Sequence, residues 1–317
     1  MAANWMRRTF MVAACASAAL LAACGSSTTE SAISPQRMVA FGDGMSDVGQ
    51  KGTRYTVNDG TVNNWTLQVA AGYSKGLTAS SAGGKSYAAG NARITAKPDA
   101  AGNSSTLTVK EQIDSFLASN TFTNDDLVMV NGGISDVIAN MAAVNAGTMT
   151  TEQMVTASRQ AGTDLAAQVR RLVNAGGKYV MVAGTYDLSK TPWATEIGRT
   201  TVLNQASSAF NEGLLVGIVD LGSNVLYVDL AYYVNLYTSS PSSYGFSNAT
   251  AAVCNSVDST NGIGIGTGKV NSSLCTTSTL LSGASQDKYA FADSVYMTPS
   301  AHRQFGTYAY DRLRARW

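Results

Sequence analysis

The sequence predicts a single α/β domain of three layers, in which helices cover both faces of a sheet of about five parallel strands. Two observations predict this fold. Short uninterrupted apolar runs recur along the chain, as in parallel strands that are buried on both faces. Segments with helical spacing of apolar residues lie between them. With 317 residues, of which 45% are hydrophobic, the chain can bury a core of this size, and we find no internal repeat.

The predicted strands are four of these apolar runs. The first ends in Gly-Asp, which is typical of a buried strand whose carboxyl end opens into a loop. The runs are Met38–Phe41, Leu127–Val130, Tyr179–Ala183 and Val225–Val228.

Helices are predicted between and after these strands. Thr298 or Ser300 is expected to cap the last helix, because threonine and serine accept backbone N–H bonds at helix starts, and Pro299 suits a first turn. A Gly176-Gly177 pair is expected to end the longest helix. The predicted segments are Trp65–Ala71, a stretch around Ile113–Leu117, Thr151–Ala175, and the region from Thr298 through Leu313.

The amino-terminal segment resembles a bacterial lipoprotein signal. Arg7 and Arg8 precede an apolar run from Phe10 to Leu20 that is too short to span a membrane, and Leu21-Ala22-Ala23-Cys24 follows. We therefore expect a signal peptide over residues 1–23, lipid on Cys24, a flexible tether over 24–36 and the folded domain over 37–317. Gly25 and Ser26 follow the cysteine, which by the known behaviour of such signals favours the outer membrane.

Charge and cysteine content further restrict the possible functions and indicate the state of the cysteines. Loss of Arg7 and Arg8 from the 22 basic and 21 acidic residues would leave a mature charge of −1, which does not favour nucleic-acid binding. Cys254 and Cys275 would be the remaining thiols besides Cys24. In an oxidising compartment we expect them to pair, with two free buried thiols as the alternative.

Four sequence blocks point to one enzyme family. They are Val39–Gly49 (VAFGDGMSDVG), Ala88–Arg93 (AAGNAR), Gly133–Asp136 (GISD) and Asp293–Tyr296 (DSVY). Together they resemble the motifs of the GDSL, or SGNH, lipase/esterase family, whose members are serine ester hydrolases with a flavodoxin-like α/β/α fold. The resemblance extends over nearly the whole predicted mature chain and implies no cofactor and no metal.

Three of the residues that would carry the family's chemistry are replaced. The nucleophile position is Gly44, the oxyanion asparagine is Ser135 and the catalytic histidine is Tyr296, whereas the oxyanion glycine Gly90 and the acid Asp293 are retained. Glycine cannot form an acyl-enzyme, and a phenol of pKa about 10 is a poor base near neutral pH. The resemblance therefore predicts the scaffold of a hydrolase with impaired catalysis.

A displaced catalytic set is one alternative. Ser46 lies two positions after Gly44, and His302, the sole histidine, lies six after Tyr296. A triad of Ser46, His302 and Asp293 would need each group to shift by several ångströms. A metal site at Asp43, Asp47 and Asp136 is disfavoured, because no second histidine completes it.

Three functions remain open at this stage. The first is a catalytically impaired lipoprotein that binds an acyl ester or a glycan in its cleft. The second is an active lipase or esterase that uses displaced residues, and the third is a structural or partner-binding lipoprotein. In each case we expect a monomer in the bacterial envelope, attached to the membrane through Cys24.

Overall fold

The computed structural model describes residues 33–317. The predicted signal peptide, Cys24 and the tether as far as residue 32 lie outside the described residues. Within residues 33–317, no helix has the length and apolar character needed to cross a membrane.

The described chain alternates strands and helices, as predicted. The strands are β1 (Arg37–Phe41), β2 (Asp126–Asn131), β3 (Tyr179–Ala183), β4 (Val225–Tyr227), β5 (Asn248–Ala252), β6 (Val257–Asp258), β7 (Lys269–Val270) and β8 (Tyr289–Phe291). The α-helices are α1 (Trp65–Gly72), α2 (Val109–Leu117), α3 (Ile134–Asn145), α4 (Thr151–Asn174), α5 (Pro192–Glu196), α6 (Thr200–Ile218), α7 (Leu230–Ser239) and α8 (Pro299–Arg316).

The main sheet is parallel and has the order β1-β2-β3-β4. All four predicted strands are confirmed, and this sheet has four strands where about five were expected. On the edge of β1 that faces away from β2, only a single parallel bridge forms, between Ala40 and Ser86. Gly83 and Gly84 precede Ser86, and the chain bends there instead of continuing as a fifth strand.

Two hydrophobic cores, one on each face of the sheet, complete three layers. Alternate residues of β1 point to opposite faces: Met38 and Ala40 pack with α1, α3 and α8, whereas Val39 and Phe41 pack with α2, α4 and α6. Because both faces are covered, the strands are apolar except at their ends, which is why they were visible in the sequence.

The helix ends that the sequence indicated are confirmed. Thr150 and Gln153 form a capping box at the start of α4, and Gly176 follows its end with a φ of 100°. Thr298 caps α8 by accepting a bond from the Ala301 N–H, with Pro299 at the first turn.

The predicted disulfide between Cys254 and Cys275 is present, with the two Cα atoms 6.0 Å apart. It closes a loop that contains β6 and β7, and we expect its loss in Cys254→Ser/Cys275→Ser to lower the free energy of unfolding by about 3 kcal/mol. Urea denaturation measures this. Thiol labelling of the unreduced, denatured parent should leave both cysteines unmodified, and labelling of either would contradict the pairing.

Candidate active site

The structure brings Gly44 and Tyr296, the predicted nucleophile and base positions, into direct contact. Gly44 follows β1 at the carboxyl edge of the sheet, and Tyr296 lies in the loop between β8 and α8. A Cβ atom built on Gly44 would lie 2.8 Å from the Tyr296 Oη and 2.9 Å from its Cζ. The tyrosine ring therefore fills the space in which a serine side chain and its substrate would meet.

Tyr296 is sealed among other aromatic side chains. It has 0% exposure, and its ring centroid lies 5.1 Å from that of Tyr55. Tyr186, also fully buried, donates its hydroxyl to the Val295 carbonyl at 2.5 Å. Within residues 33–317 the Tyr296 hydroxyl has no hydrogen-bond partner. Burial raises its pKa well above the ordinary value, so the phenolate needed for base catalysis is disfavoured.

Asp293 is retained as a buried carboxylate that orders the backbone. Its Oδ1 accepts bonds from the N–H groups of Val295 at 2.7 Å and Tyr296 at 2.6 Å, and its Oδ2 accepts one from Ser272 at 2.9 Å. Burial raises its pKa, and these hydrogen bonds oppose the rise. Because position 296 is Tyr instead of His, the Asp293 carboxylate holds this loop in a conformation that places the Tyr296 ring against Gly44.

The oxyanion position is also closed. The Gly90 N–H donates to the Asp47 Oδ2 at 2.8 Å, and a Cβ on Gly90 would overlap the Tyr55 ring. The Ser135 hydroxyl is buried and has no hydrogen-bond partner among the described residues. A substrate oxyanion placed here would have to displace both Tyr55 and Asp47.

Ser46 and His302 are not assembled into a triad. The Ser46 hydroxyl accepts a bond from the Trp65 Nε1 at 3.0 Å. His302 lies in α8 with 0% exposure, and neither of its ring nitrogens has a hydrogen-bond partner within residues 33–317. No described hydrogen bond joins either residue to Asp293, whose bonds go to backbone N–H groups.

His302 makes stability depend on pH. Burial, with a smaller contribution from Arg303, lowers its pKa from 6.5 to about 3. Because the unfolded chain binds this proton more readily, the stability contributed by His302 is lost as pH falls from 6.5 towards 3. We expect His302→Leu to remove up to about 1.4 kcal/mol per pH unit from the slope of unfolding free energy in this range.

Denaturant titrations of parent and His302→Leu at several pH values provide the measurement. Burial raises the pKa of Asp136 to about 6, so its contribution has the opposite sign and is lost as pH rises. Asp136 is unchanged in both proteins and cancels in the difference. Identical slopes for the two proteins would contradict a buried neutral histidine.

The three acidic residues considered as metal ligands each accept hydrogen bonds from different groups. Asp43 accepts bonds from the Met45 N–H at 3.0 Å and the Asn131 amide at 2.7 Å. Asp136 accepts from the Ile94 N–H at 3.1 Å, while Asp47 holds Gly90. In the part of the chain that the structure describes, no group of three or more His, Cys, Asp or Glu residues could hold a metal ion.

Sequence reasoning missed Tyr55 and Tyr186. Neither belongs to a family block, and their packing against Gly90 and Val295 depends on contacts between residues far apart in the chain. The sequence did offer one signal of a filled site. Gly44 and Gly90 leave space in the predicted site, and the bulky Tyr296 is predicted to lie in the same site.

A groove of about 400 Å³ lies beside the closed site. Trp193, Ile138 and Ile265 form its apolar part, and Asn145 and Asn261 add polar groups. The Trp193 N–H donates to the Ser294 carbonyl at 2.9 Å, which connects the groove to the loop that carries Tyr296.

Comparison with known proteins agrees with the fold and the blocks. The chain matches the family described as GDSL-like Lipase/Acylhydrolase over residues 38–308, and it belongs to this family. It is also 27% identical over 161 residues to an "Uncharacterized protein in trpE-trpG intergenic region" of Pseudomonas putida. That match covers 50% of this chain and 25% of the relative, so the chain spans about a quarter of the relative's length.

Proposed function

We propose that this protein is a hydrolytically silent member of the GDSL lipase/acylhydrolase family that acts as a structural or partner-binding lipoprotein. The contact between the Tyr296 ring and Gly44 carries the proposal, because that ring stands where both nucleophile and acyl group would have to be. The engaged Gly90 N–H supports it independently. Such a protein works through its surface rather than through turnover.

Attachment to the envelope is part of this proposal. The lipoprotein signal ahead of Cys24 favours a lipid anchor in the outer membrane, and the folded domain would be a monomer held by a short tether. The mass of the mature amino-terminal peptide tests the anchor, since lipidation adds acyl chains to Cys24.

An ester-hydrolysis assay tests whether the protein lacks catalytic activity. We expect the purified protein to hydrolyse short-chain p-nitrophenyl esters barely above the uncatalysed rate, because the nucleophile position has no hydroxyl and the base position has no imidazole. Initial rates are measured across pH 6 to 9. Turnover on the order of 10 s⁻¹ would refute the proposal. If such turnover appears, Ser46→Ala and His302→Ala report whether a displaced triad is its source.

A second candidate function is binding of an acyl ester or a glycan without hydrolysis. The groove lined by Trp193, Ile138 and Ile265 favours it, because an aromatic and aliphatic floor with amides at the rim suits such ligands. Quenching or enhancement of Trp193 fluorescence on titration with monoacyl esters and oligosaccharides tests this candidate, with Trp193→Phe as the control. A flat titration for both ligand classes excludes it.

A further inference from the structure

One edge of the domain combines features that are typical of a surface in contact with lipid. Strands β1 to β4 begin at this edge, and helices α6 and α8 end at it. It lies opposite the edge that carries Gly44. The Ile33 N–H donates to the Trp317 carbonyl at 3.3 Å, so the chain that leads back to Cys24 leaves the domain at this edge.

An exposed apolar patch lies at the end of α6. Val216 is 69% exposed, Val219 80% and Leu215 42%. Residues 215, 216 and 219 lie within about one helical turn, so they form one continuous patch. Exposed aliphatic side chains at this density lie at binding surfaces more often than at random.

Contacts connect this apolar patch to the exit point of the chain. The Arg316 guanidinium donates to the Gly222 carbonyl, three residues after Val219. The ring of Trp317 packs against Tyr179 with centroids 5.1 Å apart, and the Lys178 ammonium lies 4.8 Å from the centre of the Tyr179 ring. Aliphatic, aromatic and cationic groups therefore share this edge, and this combination is typical of helices and domains at lipid headgroups.

Charge at this edge suits an anionic membrane. Asp220 is neutralised by Arg170, whose guanidinium binds both carboxylate oxygens at 2.9 and 2.6 Å. Lys178 and Arg316 are both exposed and add positive charge at this edge. Each such cation is attracted to an anionic bilayer.

We propose that this edge, comprising Val216, Val219, Lys178, Arg316 and Trp317, is the face that the domain lays on the phospholipid surface, so that the closed catalytic edge points away from the membrane. The inference rests on the proposed anchor at Cys24. Ile33 is nine residues from Cys24. Nine extended residues reach at most about 30 Å, which keeps this edge at high effective concentration near the bilayer.

The experiment uses the chain from Cys24 onward, coupled through the Cys24 thiol to a maleimide lipid. Both cores of the sheet consist of residues after 32, so this chain retains the fold. The vesicles contain phosphatidylethanolamine and phosphatidylglycerol in equal parts, with or without brominated acyl chains. Bromine quenches tryptophan at short range, and Trp317 is partly exposed whereas Trp65 and Trp193 are buried.

We expect brominated vesicles to quench Trp317 fluorescence, with the quenched fraction falling at least about twofold in Val216→Asp/Val219→Asp, because charge opposes insertion. Trp317→Phe should abolish the quenching. The matched control is Val257→Asp in the disulfide loop, where the side chain is 62% exposed, and it should behave like the parent.

Two results would overturn the inference. One is an unquenched Trp317 in coupled parent protein, and the other is quenching that the double aspartate variant leaves unchanged. A dimer in sedimentation that Val216→Asp/Val219→Asp dissolves, together with absent quenching, would assign the patch to a second copy of the chain instead. Since coupling to lipid is chemical, these results stand apart from whether Cys24 is lipidated in the cell, which the peptide mass decides.

Discussion

Restoring the three replaced groups together should create an ester hydrolase. We expect Gly44→Ser/Ser135→Asn/Tyr296→His to hydrolyse p-nitrophenyl acetate at least about 10²-fold faster than the parent, because a positioned acid–base pair contributes about 10²–10⁴-fold. Histidine lacks the Oη and Cζ atoms that a Cβ at position 44 would meet at 2.8 and 2.9 Å. Asp293 is already in place to orient the imidazole.

The single variants should remain inert, and one of them should be unstable. Gly44→Ser alone places a Cβ against the buried Tyr296 ring, and overpacking of this kind costs about 1–3 kcal/mol. Tyr296→His relieves the clash, so the two changes should be non-additive by a similar amount in urea denaturation. Additive stabilities would show that the Gly44 and Tyr296 positions do not share one space.

The matched control for hydrolysis is Gly44→Ala/Ser135→Asn/Tyr296→His. It carries the same Cβ and the same imidazole but no hydroxyl, so equal activity in both triple variants would disprove attack by the serine. A folded serine variant that is inert would indicate that the Gly90 N–H remains held by Asp47 beneath Tyr55. Tyr55→Ala in that background then tests whether the closed oxyanion position is the remaining block.

The scaffold was readable from the sequence because its signals are local. The strand Met38–Phe41, the cap Thr298 and the helix-ending Gly176 specify their elements through neighbouring residues alone. Helix α6 was missed since its apolar residues are interspersed with glycine and serine. Those small residues permit close packing, as a Cβ on Gly213 of α6 would overlap the Arg159 carbonyl of α4.

The loss of catalytic residues was also readable, but the closure of the site was not. A glycine at position 44 reveals only that a hydroxyl is missing, and a cleft could have remained. That Tyr296 turns into the vacated space, and that Tyr55 covers Gly90, are consequences of packing between distant segments. The family match over residues 38–308 identifies the fold and is compatible with either outcome.

The two tyrosine hydroxyls in this cluster should respond oppositely to the same substitution. Tyr186→Phe should lower the unfolding free energy by about 1–3 kcal/mol, because it leaves the buried Val295 carbonyl without its donor. Tyr296→Phe should raise it by up to about 1 kcal/mol, because its hydroxyl is buried without a described partner. Tyr296→Ala should cost about 3–5 kcal/mol through the cavity it leaves.

Urea denaturation of the three variants separates a dry site from a hydrated one. If Tyr296→Phe were as destabilising as Tyr186→Phe, the Tyr296 hydroxyl would have to bond a buried water, since such waters satisfy otherwise unpaired polar groups. Water there, next to Gly44, would mean that the space around the Tyr296 hydroxyl is hydrated rather than dry. A stabilising Tyr296→Phe instead means that the tyrosine contributes through its ring, which fills the space beside Gly44 as part of the core.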